Sequence, residues 1–177
     1  MHGRDLLRNR GAAGRALVIG AGGLGQYAIR YLRLLTDATV VAVDLDPVKQ
    51  GTALEIGAHG AVGPDDEIGT ADVVLDFLGA ESTMAIAAGA VRRQGLVAVV
   101  GLFGGRIPFG LGAVPHEARF MSSFWGSRAQ LDELLDLARS EPSVVQPVET
   151  LPLADAQLAH DRLRRGDLKG RLVLTIQ

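Results

Sequence analysis

The stretch ALVIGAGGLGQYAIR, Ala16–Arg30, limits the fold more than any other part of the chain. A short apolar run, suited to a strand buried on both faces, passes through a glycine-rich turn into a helical pattern. Gly20, Gly22 and Gly25 fit G-x-G-x-x-G, and Gly23 adds a fourth glycine. The first glycine of such a turn allows the tight bend. The second lets the backbone approach a pyrophosphate, and the third lets helix and strand pack closely. The amides opening the helix then face the anion. Asp44 ends the next apolar run, ATVVAVD, about 20 residues on, where a carboxylate can accept both ribose hydroxyls. The pattern reads as a dinucleotide site, against the alternative of a close-packed turn without ligand. A 2′-phosphate would meet Asp44 at a cost of up to ~4 kcal/mol before screening. Position 45, where an arginine could receive that phosphate, holds Leu45. The expected cofactor is NAD rather than NADP.

Apolar, β-rich runs then alternate with helical patterns, as in a parallel sheet covered on both faces. Strands are expected at Ala16–Gly20, Ala38–Asp44, Gly60–Val62, Asp72–Phe77, Gly95–Gly101 and Ala118–Phe124. Helices are expected over Gln26–Leu35, with arginines outside, after the capping residue Asp46 with Pro47 in its first turn, over Ser82–Val91, and over Arg128–Arg139. The fold class is α/β, a doubly wound parallel six-stranded sheet of the Rossmann type. Near SEPSVVQPVETLPL two prolines and an extended run break the rhythm. A helix–strand appendage follows, Ala154–Arg165 and Arg171–Ile176. The expected division is a dinucleotide-binding domain over 1–143 and a tail over 144–177.

Composition closes several alternatives. A net charge of −2 argues against nucleic acid or an anionic membrane as partner. No apolar run approaches the ~20 residues that span a bilayer, and MHGRDLLRNRG has no apolar core for a secretory signal. A cytoplasmic location is the default. The chain has no cysteine, which removes disulfides, thiolate nucleophiles and cysteine-bearing zinc sites. His2, His59, His116 and His160 show no metal-ligand spacing, and HEARF from His116 has Phe120 where H-E-x-x-H needs its second histidine. There is no G-x-S-x-G elbow, no Walker lysine after Gly25, and no Tyr-x-x-x-Lys pair at Tyr27 or Tyr31. Asp76 reads as a structural carboxylate and Asp65, Asp66 and Glu67 as a solvated acidic loop. No catalytic and no metal-binding residue is assigned.

VIGAGGLGQYAIRYLRLL, VVAVDLDPVKQGTALEIGAHGAV, ADVVLDFLG and GRLVLTI together resemble the zinc-type medium-chain alcohol dehydrogenases, from about Ala16 onward. The resemblance implies the coenzyme-binding domain of that family and its C-terminal return into the catalytic domain. It implies that Gly20, Gly22, Gly23, Leu24 and Gly25 hold the pyrophosphate. Asp44, beside Leu45, and Lys49 would take the adenosine ribose. Phe77 and Leu78 would line the adenine pocket, Gly101 and Leu102 would meet the nicotinamide, and the backbone at Phe124 and Trp125 its carboxamide. Arg171 would reach the pyrophosphate. The segment FGGRIPFGLGAVP, with Ile107, Phe109 and Leu111, would pair across a two-fold axis in a homodimer.

The family's Gly-His-Glu element, cysteine zinc ligand and four-cysteine lobe have no counterpart here. The expectation is therefore the NAD(H)-holding part of an alcohol-oxidising enzyme, an excised piece or a naturally short product, without catalysis of its own. The alternatives are a free-standing NAD(H)-binding or redox-sensing module, and a Rossmann-type methyltransferase. DFLGA lacks the Asn/Asp-Pro-Pro-aromatic element expected of the latter after strand four.

Overall fold

The computed structural model describes Leu7, residues 14–168 and residues 170–176. Two compact units emerge, Met1–Arg128 and Ala129–Gln177. The division falls before the compositional break expected at 143/144. Prolines mark that break in the sequence, whereas the spatial division comes at the first residue of a helix.

In the first unit β1 (Arg15–Ile19), α1 (Gly25–Leu35), β2 (Thr39–Val43), α2 (Pro47–Glu55) and β3 (Gly60–Val62) follow in turn. The chain then forms β4 (Ala71–Asp76), α3 (Glu81–Ala90), β5 (Val91–Val99) and β6 (Arg119–Ser122). The six strands make one sheet in the order β3-β2-β1-β4-β5-β6, every pairing parallel. This is the doubly wound arrangement expected from the sequence. The order reverses at β1, which pairs with β2 on one side and β4 on the other, and ligands in such sheets bind beyond the strand ends at that point.

The period-2 alternation of the strands explains why both faces are covered. Leu17, Ile19, Val41, Val43, Val74 and Val97 pack on the side of α3, with Ala87 and Ala90 of that helix. Val18, Val40 and Ala42 point the other way, against Ala28 and Ile29 of α1 and Ala53 of α2. Each fully buried Leu, Ile or Val contributes about 1.5–3 kcal/mol. Asp46 accepts the Val48 N–H at 2.9 Å and caps α2, with Pro47 opening the helix. The arginines of α1 do not all lie outside. Arg30 Nη1 is buried with no hydrogen bond among the described residues, and this desolvation lowers its pKa.

At the N-terminal ends of the strands the fully buried Asp72 accepts the Arg15 N–H at 2.8 Å and pairs with Arg92 Nη1 at 3.0 Å. The β4–β5 register shifts there, from Ala71↔Val91 to Val73↔Leu96. Gln94, in the displaced segment, adopts φ 62°, and Glu117 before β6 adopts φ 59°.

The second unit contains α4 (Arg128–Ser140, its first residue at the division), β7 (Val148–Pro152), α5 (Ala156–Arg165) and β8 (Arg171–Thr175). Strands β7 and β8 form a parallel pair from Val148↔Arg171 to Pro152↔Thr175. The tail is thus strand–helix–strand rather than the expected helix–strand. Pro147 and Pro152 disguise β7 in the sequence, but a strand end tolerates proline. No helix among the described residues is long and apolar enough to cross a membrane.

Candidate cofactor-binding site

The glycine turn lies between β1 and α1. Gly20 has φ +89°, a left-handed conformation that only glycine adopts readily. A Cβ on Gly25 would stand 1.8 Å from the carbonyl oxygen of Gly20, so the start of α1 rests directly on the turn. Gly22 differs: a Cβ there would meet nothing within 4 Å. Two glycines are required by backbone shape and packing, while the third borders open space that an approaching group could fill. Leu24, at the N-cap of α1, makes no side-chain capping bond to the positive end of the helix dipole.

Asp44 follows β2 and joins two loops. Its Oδ2 accepts the N–H of Ala21 at 2.8 Å, and its Oδ1 accepts the N–H of Asp46 at 3.0 Å. Gln50 Nε2 donates to the Asp44 carbonyl at 2.7 Å. Each carboxylate oxygen keeps capacity for a further donor, which suits a pair of neighbouring hydroxyls.

A cleft of about 410 Å³ opens on the α3 side of the sheet, beyond the ends of β1 to β4. Ile19, Gly20, Val43 and Asp44 form its floor. The sheet order places Leu45, Pro64 and Asp65 on the β2–β3 side and Leu78, Ser82, Thr83 and Ile86 on the β4–α3 side. Thr83 is already committed: its hydroxyl donates to Asp76 Oδ2 at 2.9 Å and accepts the Ala80 N–H at 3.0 Å. The buried Asp76 also takes the N–H groups of Leu78 and Gly79 at 2.9 and 3.0 Å, which makes it a structural carboxylate, as its place at the end of β4 suggests.

Gly20, Asp44, Leu45 and Leu78 thus come together around one cleft, with Gly22, Gly23, Leu24 and Gly25 on the turn beside it. Phe77 packs instead against the apolar cluster under α1 and α2. Lys49 is half-buried on α2 and makes no hydrogen bond or ion pair among the described residues. Gly101 packs so closely on the Leu78 backbone that a Cβ would lie 2.0 Å from the Leu78 carbonyl carbon. With Leu102 it borders a second cleft, about 460 Å³, that also reaches Ile107 and Phe109. Phe124 and Trp125 are exposed and meet edge to face at 5.0 Å, with Trp125 at φ 60°. Arg171 belongs to the second unit, where it lines a smaller cleft with His160. The sequence reading did not single out Pro64, Ser82, Thr83 or Ile86 for the cleft. Only the sheet order brings them there. Among the described residues no three His, Asp or Glu side chains gather as metal ligands.

Comparison with known proteins agrees with this fold. The chain is 28% identical to an NAD-dependent alcohol dehydrogenase of Sulfolobus acidocaldarius, over 96% of its own length and 53% of that protein's. It is 30% identical to an alcohol dehydrogenase of Geobacillus stearothermophilus, over 90% of this chain and 50% of that one. Acetophenone reductase from Geotrichum candidum, solved in complex with NAD, superposes with a TM-score of 0.82 at 31% identity, over 96% of this chain and 50% of that one. The chain spans about half the length of the curated relatives it matches. The family model for zinc-binding dehydrogenases matches residues 23–140 of the 177, and the chain belongs to that family.

Proposed function

We propose that this chain seats NAD(H) for hydride transfer in an alcohol-dehydrogenase-like oxidoreductase. The observation that carries the reading is the Asp44 carboxylate, tied to the glycine turn through Ala21 and lining the cleft beside Leu45. The open space at Gly22 and the start of α1 at Leu24 suit the pyrophosphate, Asp44 and Lys49 the adenosine ribose, and Leu78 the adenine. Gly101 and Leu102 would face the nicotinamide, with the backbone at Phe124 and Trp125 on its carboxamide. Bound NAD supplies the hydride acceptor. The contribution of this chain is to orient it and to exclude a 2′-phosphate by the charge of Asp44.

The reading extends to a cytoplasmic homodimer formed through the segment Ile107–Leu111, and to a chain that binds cofactor without oxidising alcohols by itself. The relatives named as NAD-dependent alcohol dehydrogenases support the cofactor and the reaction class. The test is titration of the purified chain with NADH and NADPH, followed by nicotinamide fluorescence. NADH should bind at least about tenfold more tightly, the effect of about 1.4 kcal/mol of charge repulsion. Equal affinities, or no binding of either, would overturn the assignment.

A further inference from the structure

Two polar side chains on the cleft at Asp44 stand without a partner among the described residues. Asp65 and Ser82 line it, both are exposed, and among the described residues neither makes a hydrogen bond or an ion pair. The other polar groups there are engaged. Thr83 serves Asp76 and Ala80, and Asp44 already holds two backbone N–H groups.

Asp65 owes its place to its neighbour. Asp66 Oδ2 accepts the Gly63 N–H at 2.7 Å and the Asp66 N–H donates to the Gly63 carbonyl at 3.3 Å. That turn pins 63–66 and keeps Asp65 on the lining of the cleft. Apolar Leu45 and Pro64 lie on its side and Leu78 and Ile86 on the other, a lining suited to a flat aromatic base. A carboxylate only accepts hydrogen bonds, while a hydroxyl can donate. Adenine offers a matching edge, with a 6-amino donor beside a ring-nitrogen acceptor. A 6-oxo base turned the same way would set an acceptor against the carboxylate.

We propose that Asp65 is a specificity-determining residue that accepts a hydrogen bond from the 6-amino group of the cofactor's adenine, with the Ser82 hydroxyl donating to the base from the other side. The proposal rests on the reading of this cleft as the NAD site and adds the means by which its base is recognised. Asp65 stands in what the sequence alone presents as a solvated acidic loop.

The test compares NADH with its reduced nicotinamide hypoxanthine analogue, in which an oxo group replaces the 6-amino group, by equilibrium fluorescence titration. The unmodified chain should favour NADH by about threefold to tenfold, the value of one hydrogen bond at a solvated rim. Asp65→Asn should abolish or invert that ratio, because its amide can donate to the oxo group. The melting temperature without cofactor should stay unchanged. Equal affinity of the unmodified chain for the two dinucleotides, or an unchanged ratio in Asp65→Asn, would overturn the proposal while leaving NAD binding intact. Failure to bind NADH at all would overturn both.

Discussion

The Asp44 carboxylate accepts the backbone N–H of Ala21 at 2.8 Å, so the residue assigned to the ribose also fixes the turn assigned to the pyrophosphate. Asp44→Ala therefore removes two charge-assisted hydrogen bonds from the free protein, those from Ala21 and Asp46, as well as a ligand contact. The expected cost is about 1.5–3 kcal/mol of stability without cofactor, measured by urea unfolding. NADH affinity should fall by more than about tenfold in the same variant. Unchanged stability would mean that the turn keeps its shape without Asp44.

The glycines separate packing from binding. Gly25→Ala places a methyl group 1.8 Å from the Gly20 carbonyl oxygen and should destabilise the fold by about 3 kcal/mol or more. Gly22→Ala meets nothing within 4 Å and should leave the melting temperature in place. It should still weaken NADH binding at least about tenfold, by filling the space the pyrophosphate needs. Thermal melts and titrations on both variants check the contrast. A Gly22→Ala chain that binds NADH normally would show that this face of the turn is not the contact.

At the opposite end of the sheet, Asp72 is wholly buried between the Arg15 N–H and the Arg92 guanidinium. Asp72→Ala leaves a part-buried donor and a largely desolvated cation without their acceptor. The expected loss is about 3–5 kcal/mol in urea unfolding. A loss below about 1 kcal/mol would show that water replaces the carboxylate there.

Much of this architecture is legible in the residues. Strand β3 falls on the expected Gly60–Val62, and Asp46–Pro47 opens α2 as its capping chemistry requires. These signals are local: apolar alternation, a cap, a proline. What depends on which strand lies beside which is not legible in the same way. Asp65 and Ser82 share a cleft only because β3 and β4 lie on opposite sides of the β1–β2 pair. Phe77 and Leu78 are adjacent and both apolar, yet alternation at the end of β4 sends Phe77 to the cluster under α1 and α2 and Leu78 to the opposite face, where it lines the cleft. Strand β7 has proline before its first residue and as its last, and only pairing with β8 reveals it.

Glu117 carries a pH dependence. Hydrogen bonds from Gln94 and then Arg93 hold its carboxyl below its ordinary value of 4.5. A depressed folded-state pKa adds stability above the unfolded value, and that stability is lost as pH falls through the folded one. The urea midpoint of the unmodified chain should exceed that of Glu117→Gln at pH 7. The gap should close in acid, well below pH 4.5, and narrow in high salt because the group is fully exposed. A gap of constant size from neutral to acid pH would show that the carboxylate charge is not what ties Gln94 to Glu117.

The last prediction concerns assembly. Strand β6 ends the sheet, so one side of its backbone faces no further strand among the described residues. The expected pairing segment beside it is not a strand in the single chain. Leu111 makes only an isolated bridge with Val114, and Phe109 meets Phe120 of β6 edge to face at 6.1 Å. Leu111 is 95% exposed, a position that stabilises nothing in one chain and suits a contact between two. A two-fold axis would set this edge against its own copy and make the contact self-complementary. Leu111→Glu should therefore preserve the fold while weakening the dimer at least about tenfold, because it puts like charges near the axis. Phe109→Glu should do the same and also lower the melting temperature, since Phe109 packs on Phe120 within its own chain. Sedimentation equilibrium over a range of concentrations measures both. An unmodified chain that stays monomeric throughout, or a Leu111→Glu chain that dimerises as tightly as the parent, would place the interface elsewhere or remove it.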